Sequence, residues 1–173
     1  MHGEREANPV EVETIHLMGR EALFQYENGG FVFHGSRDGN IAKLSPRQAM
    51  TLEQGAMIPD GAPAVAATPQ VEVAIFRALT DKESMLDRSV VPRTQFGMEN
   101  GELFLGADPD VVAVMKEPSN MGYVYVFPES KFFAFEGRGE EVRGYVDMKP
   151  IAVVKVSGPE LSLSVRPFVE ALS

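Results

Sequence analysis

The sequence reads as an α+β domain with a mostly antiparallel sheet and flanking helices. Its helical signals come early, and five short β-rich runs crowd the last third. A glycine-rich strand-to-helix turn of the phosphate-cradling kind, expected of a dinucleotide-binding parallel sheet, does not occur. At 173 residues the chain suits one domain, 1–173, large enough to bury roughly two thirds of its unfolded surface. We divide it into an N-terminal helical segment (8–30), a core (31–157) and a C-terminal strand and tail (158–173).

Each element rests on a local signal. Arg20 to Tyr26 contains good helix formers and runs into Asn28-Gly29-Gly30, a C-terminal stop. Ahead of it, Asn8-Pro9-Val10-Glu11 looks like a helix start, yet Val10, Val12 and Thr14 alternate as in a strand, so both remain open. Phe31 to His34 is a short strand that ends on Gly35-Ser36-Arg37-Asp38-Gly39. Residues 44–64 carry Pro46, Pro59 and Pro63 with Gly55 and Gly61 between them, and read as an irregular surface loop. Val65-Ala66-Ala67 is a strand. Thr68-Pro69 reads as a helix start, with threonine as N-cap, for a helix to Thr80 that spaces Val71, Ala74, Ile75, Ala78 and Leu79 on one face. Residues 81–106 are mixed and partly loop, and Asp108-Pro109 opens a helix through Met115. The strand runs are Tyr123 to Phe127 (stopped by Pro128), Phe132 to Phe135, Val142 to Val146, Ile151 to Val156 and Leu161 to Val165.

Composition narrows the function classes. The chain has no cysteine, which removes disulfides, thiolate metal sites and cysteine nucleophiles together. Its first residues are polar and no apolar run follows, so no signal peptide is expected and the predicted location is cytoplasmic. No stretch approaches the roughly 20 apolar residues of a membrane span. Net charge is −9 and the sixteen basic residues are scattered, which disfavours nucleic acid as a partner.

Three histidines occur: His2, His16 and His34. Only His34 ends a hydrophobic strand and precedes Gly-Ser. A glycine there lets a ligand approach the backbone, and the flanking histidine and serine offer hydrogen bonds to hydroxyls. The same residues also suit a plain strand-to-turn transition, with Ser36 and Asp38 as turn formers. With no cysteine and no second histidine at ligand spacing, no metal site is expected.

The order of the motifs adds to this. A strand ending His34-Gly35-Ser36 is followed by Leu44-Ser45-Pro46 and then by Val65-Ala66-Ala67-Thr68-Pro69 running into Ala74-Ile75-Phe76-Arg77-Ala78. Gly122-Tyr123-Val124-Tyr125-Val126, Glu141-Val142-Arg143-Gly144-Tyr145 and Pro150-Ile151-Ala152-Val153-Val154 come later. In this order, from about Phe31 to Val156, the chain resembles the His-Gly-Ser/Thr branch of the ADP-ribosyltransferase superfamily, which includes poly-ADP-ribose polymerases and rifamycin-modifying transferases.

The resemblance implies a split, mostly antiparallel sheet and an NAD-binding core over 31–157. It implies that His34 and Ser36 hydrogen-bond the ribose beside nicotinamide, and that Gly35 grips the nicotinamide amide with its backbone. Phe76 falls where some members stack an aromatic on the nicotinamide ring, although its helical spacing equally fits a core position. Glu141 falls at the catalytic acid, which stabilises the oxocarbenium-like state as nicotinamide leaves, with Glu140 and Glu136 as nearby alternatives. Where many members carry a tyrosine on the second strand, this chain has Val65-Ala66-Ala67, one aromatic contact of roughly 1 kcal/mol fewer. Two functions follow as expectations. The first is transfer of ADP-ribose from NAD to an unidentified acceptor, with NAD as substrate and no metal. The alternative is a non-catalytic binding or interaction module on the same fold.

Overall fold

The computed structural model describes residues 13–59, 61–135 and 138–170, and of residues 51–53 and 138–140 the backbone alone. The chain is α+β with mostly antiparallel strands, as its sequence predicts. Its central sheet has the order β1 (Ile15–Met18), β11 (Ala152–Ser157), β8 (Met121–Pro128) and β2 (Phe31–Ser36). Strand β8 pairs antiparallel with both neighbours, whereas β1 runs parallel to β11. A second sheet joins β5 (Val65–Ala67), β10 (Arg138–Gly144) and β9 (Phe133–Phe135), all antiparallel. A third joins β12 (Val165–Pro167) in parallel to β7 (Glu102–Ala107), which pairs antiparallel with β6 (Thr94–Glu99). The hairpin β3 (Met50–Glu53) and β4 (Ala56–Pro59) stands apart. The helices are α1 (Val71–Leu79), α2 (Lys82–Asp87) and α3 (Pro109–Met115). None among the described residues is long and apolar enough to cross a membrane.

Period-two alternation divides the core between the two faces of the central sheet. Phe33, Val124, Val126, Ala152 and Val154 face α1, while Val32, Tyr125, Phe127 and Val153 face the other way. Helix α1 buries Val71, Ala74, Ile75, Ala78 and Leu79 as its spacing predicts, and Val73 and Phe76 besides. Burial of each larger side chain contributes about 1.5–3 kcal/mol. Two glycines set how closely α1 approaches. A Cβ on Gly35 would lie 2.0 Å from the Ala74 carbonyl oxygen, and one on Gly122 would lie 2.6 Å from that of Ala78. Ala74 and Ala78 on the helix and glycine on the strands bring the two backbones into contact.

Several expectations need correction. The helical segment at 8–30 is instead β1 followed by one 3-10 turn, Arg20–Leu23; the candidate start at Asn8 to Val12 lies outside the described residues. The run Arg20 to Tyr26 is shorter than an isolated helix needs, whereas Ile15 to Met18 gains a ladder against β11. The loop 44–64 contains the β3–β4 hairpin, which turns at Gln54 and Gly55, both at positive φ. Thr68 is not an N-cap. Its backbone exchanges hydrogen bonds of 2.8 and 2.9 Å with Phe33, its hydroxyl accepts from the Gln70 N–H, and α1 starts after Gln70. Within 81–106, Asp81 caps α2 by accepting from the Ser84 N–H. There too, Asn100-Gly101, at φ 52° and 79°, closes the β6–β7 hairpin. The last strand lies at Val165–Pro167 rather than Leu161 to Val165.

Candidate functional site

Strand β2 is an edge strand, and its open edge carries the site. Phe33 uses both backbone groups on Thr68, away from β8. Antiparallel strands direct alternate residues to opposite edges, so the Gly35 N–H and C=O point the same way as those of Phe33. Among the described residues no strand pairs with β2 there. Gly35 lines a cleft of about 560 Å³ at that point, together with Ala66 of β5, Arg77 of α1, Phe96 of β6, and Glu141 and Arg143 of β10. A donor and an acceptor therefore stand side by side at its wall.

Strands β5 and β10 bring the acid to that wall. Ala66 is the register partner of Arg143, and Glu141 sits two residues earlier on the same face. Glu141 is buried at 6% exposure. Its Oε2 accepts from Arg143 Nε at 2.9 Å, and its Oε1 lies 4.0 Å from Arg77 Nη1. The Arg143 guanidinium lies 3.6 Å from the centre of the Phe135 ring, and that of Arg77 lies 5.8 Å from the Phe96 ring. Arg143 is itself buried and lines the same cleft as Glu141.

His34 projects from the face of β2 that carries Val32 and packs edge-on to Tyr125. Its Nδ1 is 2.7 Å from the Ala66 carbonyl oxygen. A carbonyl only accepts, so Nδ1 carries the proton and Nε2 is left as an acceptor. Burial pushes the imidazole below its ordinary range; the Ala66 carbonyl opposes this, and the charges of Arg77 and Arg47 add to it. The ring borders a recess of about 10 Å³, room for one water, which shares Gly35, Ala66 and Arg77 with the cleft.

The fold thus brings Gly35 and Glu141 to one cleft and His34 to its edge. Ser36 accepts from the Asp38 N–H at 3.1 Å, a turn contact. Phe76 is 1% exposed in the core, so it has no face to offer a ligand ring, and the stacking role implied for it does not fit this position. Glu136 and the Glu140 side chain lie outside the described residues. Sequence reasoning missed Arg77 and Arg143 as members of the site. The alternation of Glu141 and Arg143 along one strand was the available signal. No protein-family model, curated protein or solved structure matches the chain.

Proposed function

We propose that this cleft binds NAD and that the protein transfers ADP-ribose from it to an acceptor, on a split-sheet fold of ADP-ribosyltransferase type. The observation that carries the reading is the shared cleft of the Gly35 backbone edge and the Glu141 carboxylate. The adjacent N–H and C=O of Gly35 match the acceptor and donor of a primary amide such as that of nicotinamide. The cleft volume falls within the roughly 300–1,000 Å³ of small-molecule sites.

NAD would supply the ADP-ribosyl group, with nicotinamide as its leaving group. The protein's part is to bind and orient. Gly35 holds the amide, and His34 Nε2 accepts from a ribose hydroxyl. Glu141 presents negative charge where positive charge develops, with Arg143 fixing one carboxylate oxygen so that the other faces the cleft. An interaction stronger in the transition state than in the ground state is expressed in the rate.

A second reading, binding without transfer, is favoured by one observation: both carboxylate oxygens of Glu141 face guanidinium groups. The strand Val65-Ala66-Ala67, without the tyrosine that many members of the resembled family carry there, is in keeping with it. One experiment separates the two. Nicotinamide release is measured for the wild type and for Glu141→Gln, Glu140→Gln and Glu136→Gln, alongside thermal shifts with NAD. Transfer predicts a loss of about 10²–10³ in turnover for Glu141→Gln, with NAD binding within a few fold. A wild type that gains stability with NAD, about 2.7 kcal/mol at 100 times its dissociation constant, yet releases no nicotinamide supports the binding module. A wild type that does neither removes both.

A further inference from the structure

Just past the end of β2 the chain carries Arg37, half-buried and two residues beyond Gly35. Its guanidinium donates to the side-chain oxygen of Asn120, and among the described residues that neutral oxygen is its one partner. Asn120 is 7% exposed. Its amide nitrogen donates to the carbonyls of Leu79 and Met115, the last residues of α1 and α3, at 2.9 and 3.1 Å. Carbonyls only accept, so those two contacts fix which end of the amide is nitrogen and turn its oxygen to Arg37. A buried amide thus joins two helix ends and holds one arginine in place.

Arg37 and Asn120 line a pocket of about 90 Å³ whose other polar members are Arg88, Glu117, Ser84 and Ser119. Its lining shares no residue with that of the cleft at Gly35. Arg88, the C-cap of α2, grips Glu117 with both terminal nitrogens, Nη2 lying 2.9 Å from Oε1. Two guanidinium groups therefore face one carboxylate, and the pocket keeps one positive charge in excess. A guanidinium has five N–H donors and no acceptor. Asn120 takes one donor of Arg37 and Glu117 takes two of Arg88, which leaves most of each fork for a further acceptor.

We propose that this pocket binds a phosphate group, as the free ion or as a monoester. At about 30 Å³ for a water, its volume suits roughly three waters or one tetrahedral oxyanion. Two arginines on different elements can each meet two phosphate oxygens, a match that their planar forks make better than a lysine does. The buried side chains of Leu79 and Met85 complete the wall and strengthen charge interactions beside them. The net charge of −9 repels anions from the molecule as a whole, so phosphate held here is held by local donors. The site stands apart from the proposed transferase reading and does not depend on it.

The experiment is an NMR titration with inorganic phosphate and, separately, with glycerol phosphate, at fixed pH and at an ionic strength held constant with sodium chloride. The signals followed are the Asn120 side-chain amide and the Nε–H groups of Arg37 and Arg88. Both should shift and saturate with phosphate. Arg37→Gln and Arg88→Gln should each weaken binding about tenfold or more, the loss expected for a charge-assisted contact. Glu117→Gln should tighten it, because it removes the one negative charge from the pocket, and Arg166→Gln on β12 should change nothing. Saturation by inorganic phosphate alone identifies the free ion, and saturation by both identifies a phosphate monoester as an admissible ligand. The proposal is overturned if neither compound saturates the signals, or if Arg37→Gln and Arg88→Gln bind phosphate as the wild type does. The Arg88 side chain is 49% exposed, so Arg88→Gln should fold and carries the test even if Arg37→Gln does not.

Discussion

His16 and His34 stand at opposite ends of one row across the central sheet. His16 pairs with Val153, Val153 with Tyr125, and Tyr125 with His34, so all four side chains share one face. The two rings are three strand spacings apart, about 14 Å. Their surroundings differ because the two edges of the sheet are finished differently. On the β2 edge, Phe33 bonds Thr68, which brings β5 and then β10 alongside, and the Ala66 carbonyl captures His34. On the β1 edge His16 stays exposed, beside a cleft of about 420 Å³ lined by Lys149 and Asn40 among others. The same residue type in the same row becomes a candidate binding group or a surface histidine according to what lies over the edge.

The largest effect expected at the His34 end comes from Gly35→Ala. The added methyl would meet the Ala74 carbonyl oxygen at 2.0 Å, so α1 must move off β2. Overpacking of this kind costs about 3 kcal/mol or more, a fall of roughly 6–12 °C in Tm for a chain of this size. Thermal melts with near-ultraviolet circular dichroism would measure it. A fall of a degree or two would show that the β2–α1 seam is not the tight end of the row.

His34 supplies a middle-sized effect through pH. Its folded-state pKa lies below the ordinary 6.5, so the unfolded chain binds more protons below that value than the native protein does. Stability contributed by the neutral imidazole is complete above about pH 6.5 and is lost as pH falls toward the lowered folded-state value. Tm measured between pH 7.5 and 5 should decline on the acid side, and His34→Gln should flatten that part of the curve. A curve unchanged by the substitution would mean that the half-buried ring carries no such linkage.

Much of this seam was legible in the sequence. The β2 strand, the β5 strand, the apolar face of α1 and β8 each follow from a local period or stop. The sequence also placed Gly35 and Glu141 as candidates, but it did not show how β10 would bring Glu141 to Gly35, because that pairing spans about a hundred residues. The β1 edge was less legible. Four residues of strand, Ile15 to Met18, owe their conformation to a ladder with β11 near the other end of the chain, and their own propensities gave no sign of it. The two hairpins were missed for a different reason. Asn100-Gly101 is a strong local turn signal that was passed over, whereas Gln54-Gly55 offers only a glycine. Phe76 shows the reverse limit. A helical aromatic can face a ligand or the core, and only the packing of α1 on the sheet decides.

The smallest effect is expected at the other end of the row. His16 lies on an edge strand and is exposed. His16→Ala should change stability by no more than about 0.5 kcal/mol, the usual range for a surface position. Run beside His34→Gln, it tests whether environment rather than residue type separates the two histidines. The ladder to β11 is made by the backbone of β1, so the side chain can be removed without touching it. If His16→Ala instead lowers Tm by several degrees, the ring must be held by contacts at the β1 edge. The 420 Å³ cleft there would then be a packed element of the fold, and the contrast between the two ends of the sheet would fail.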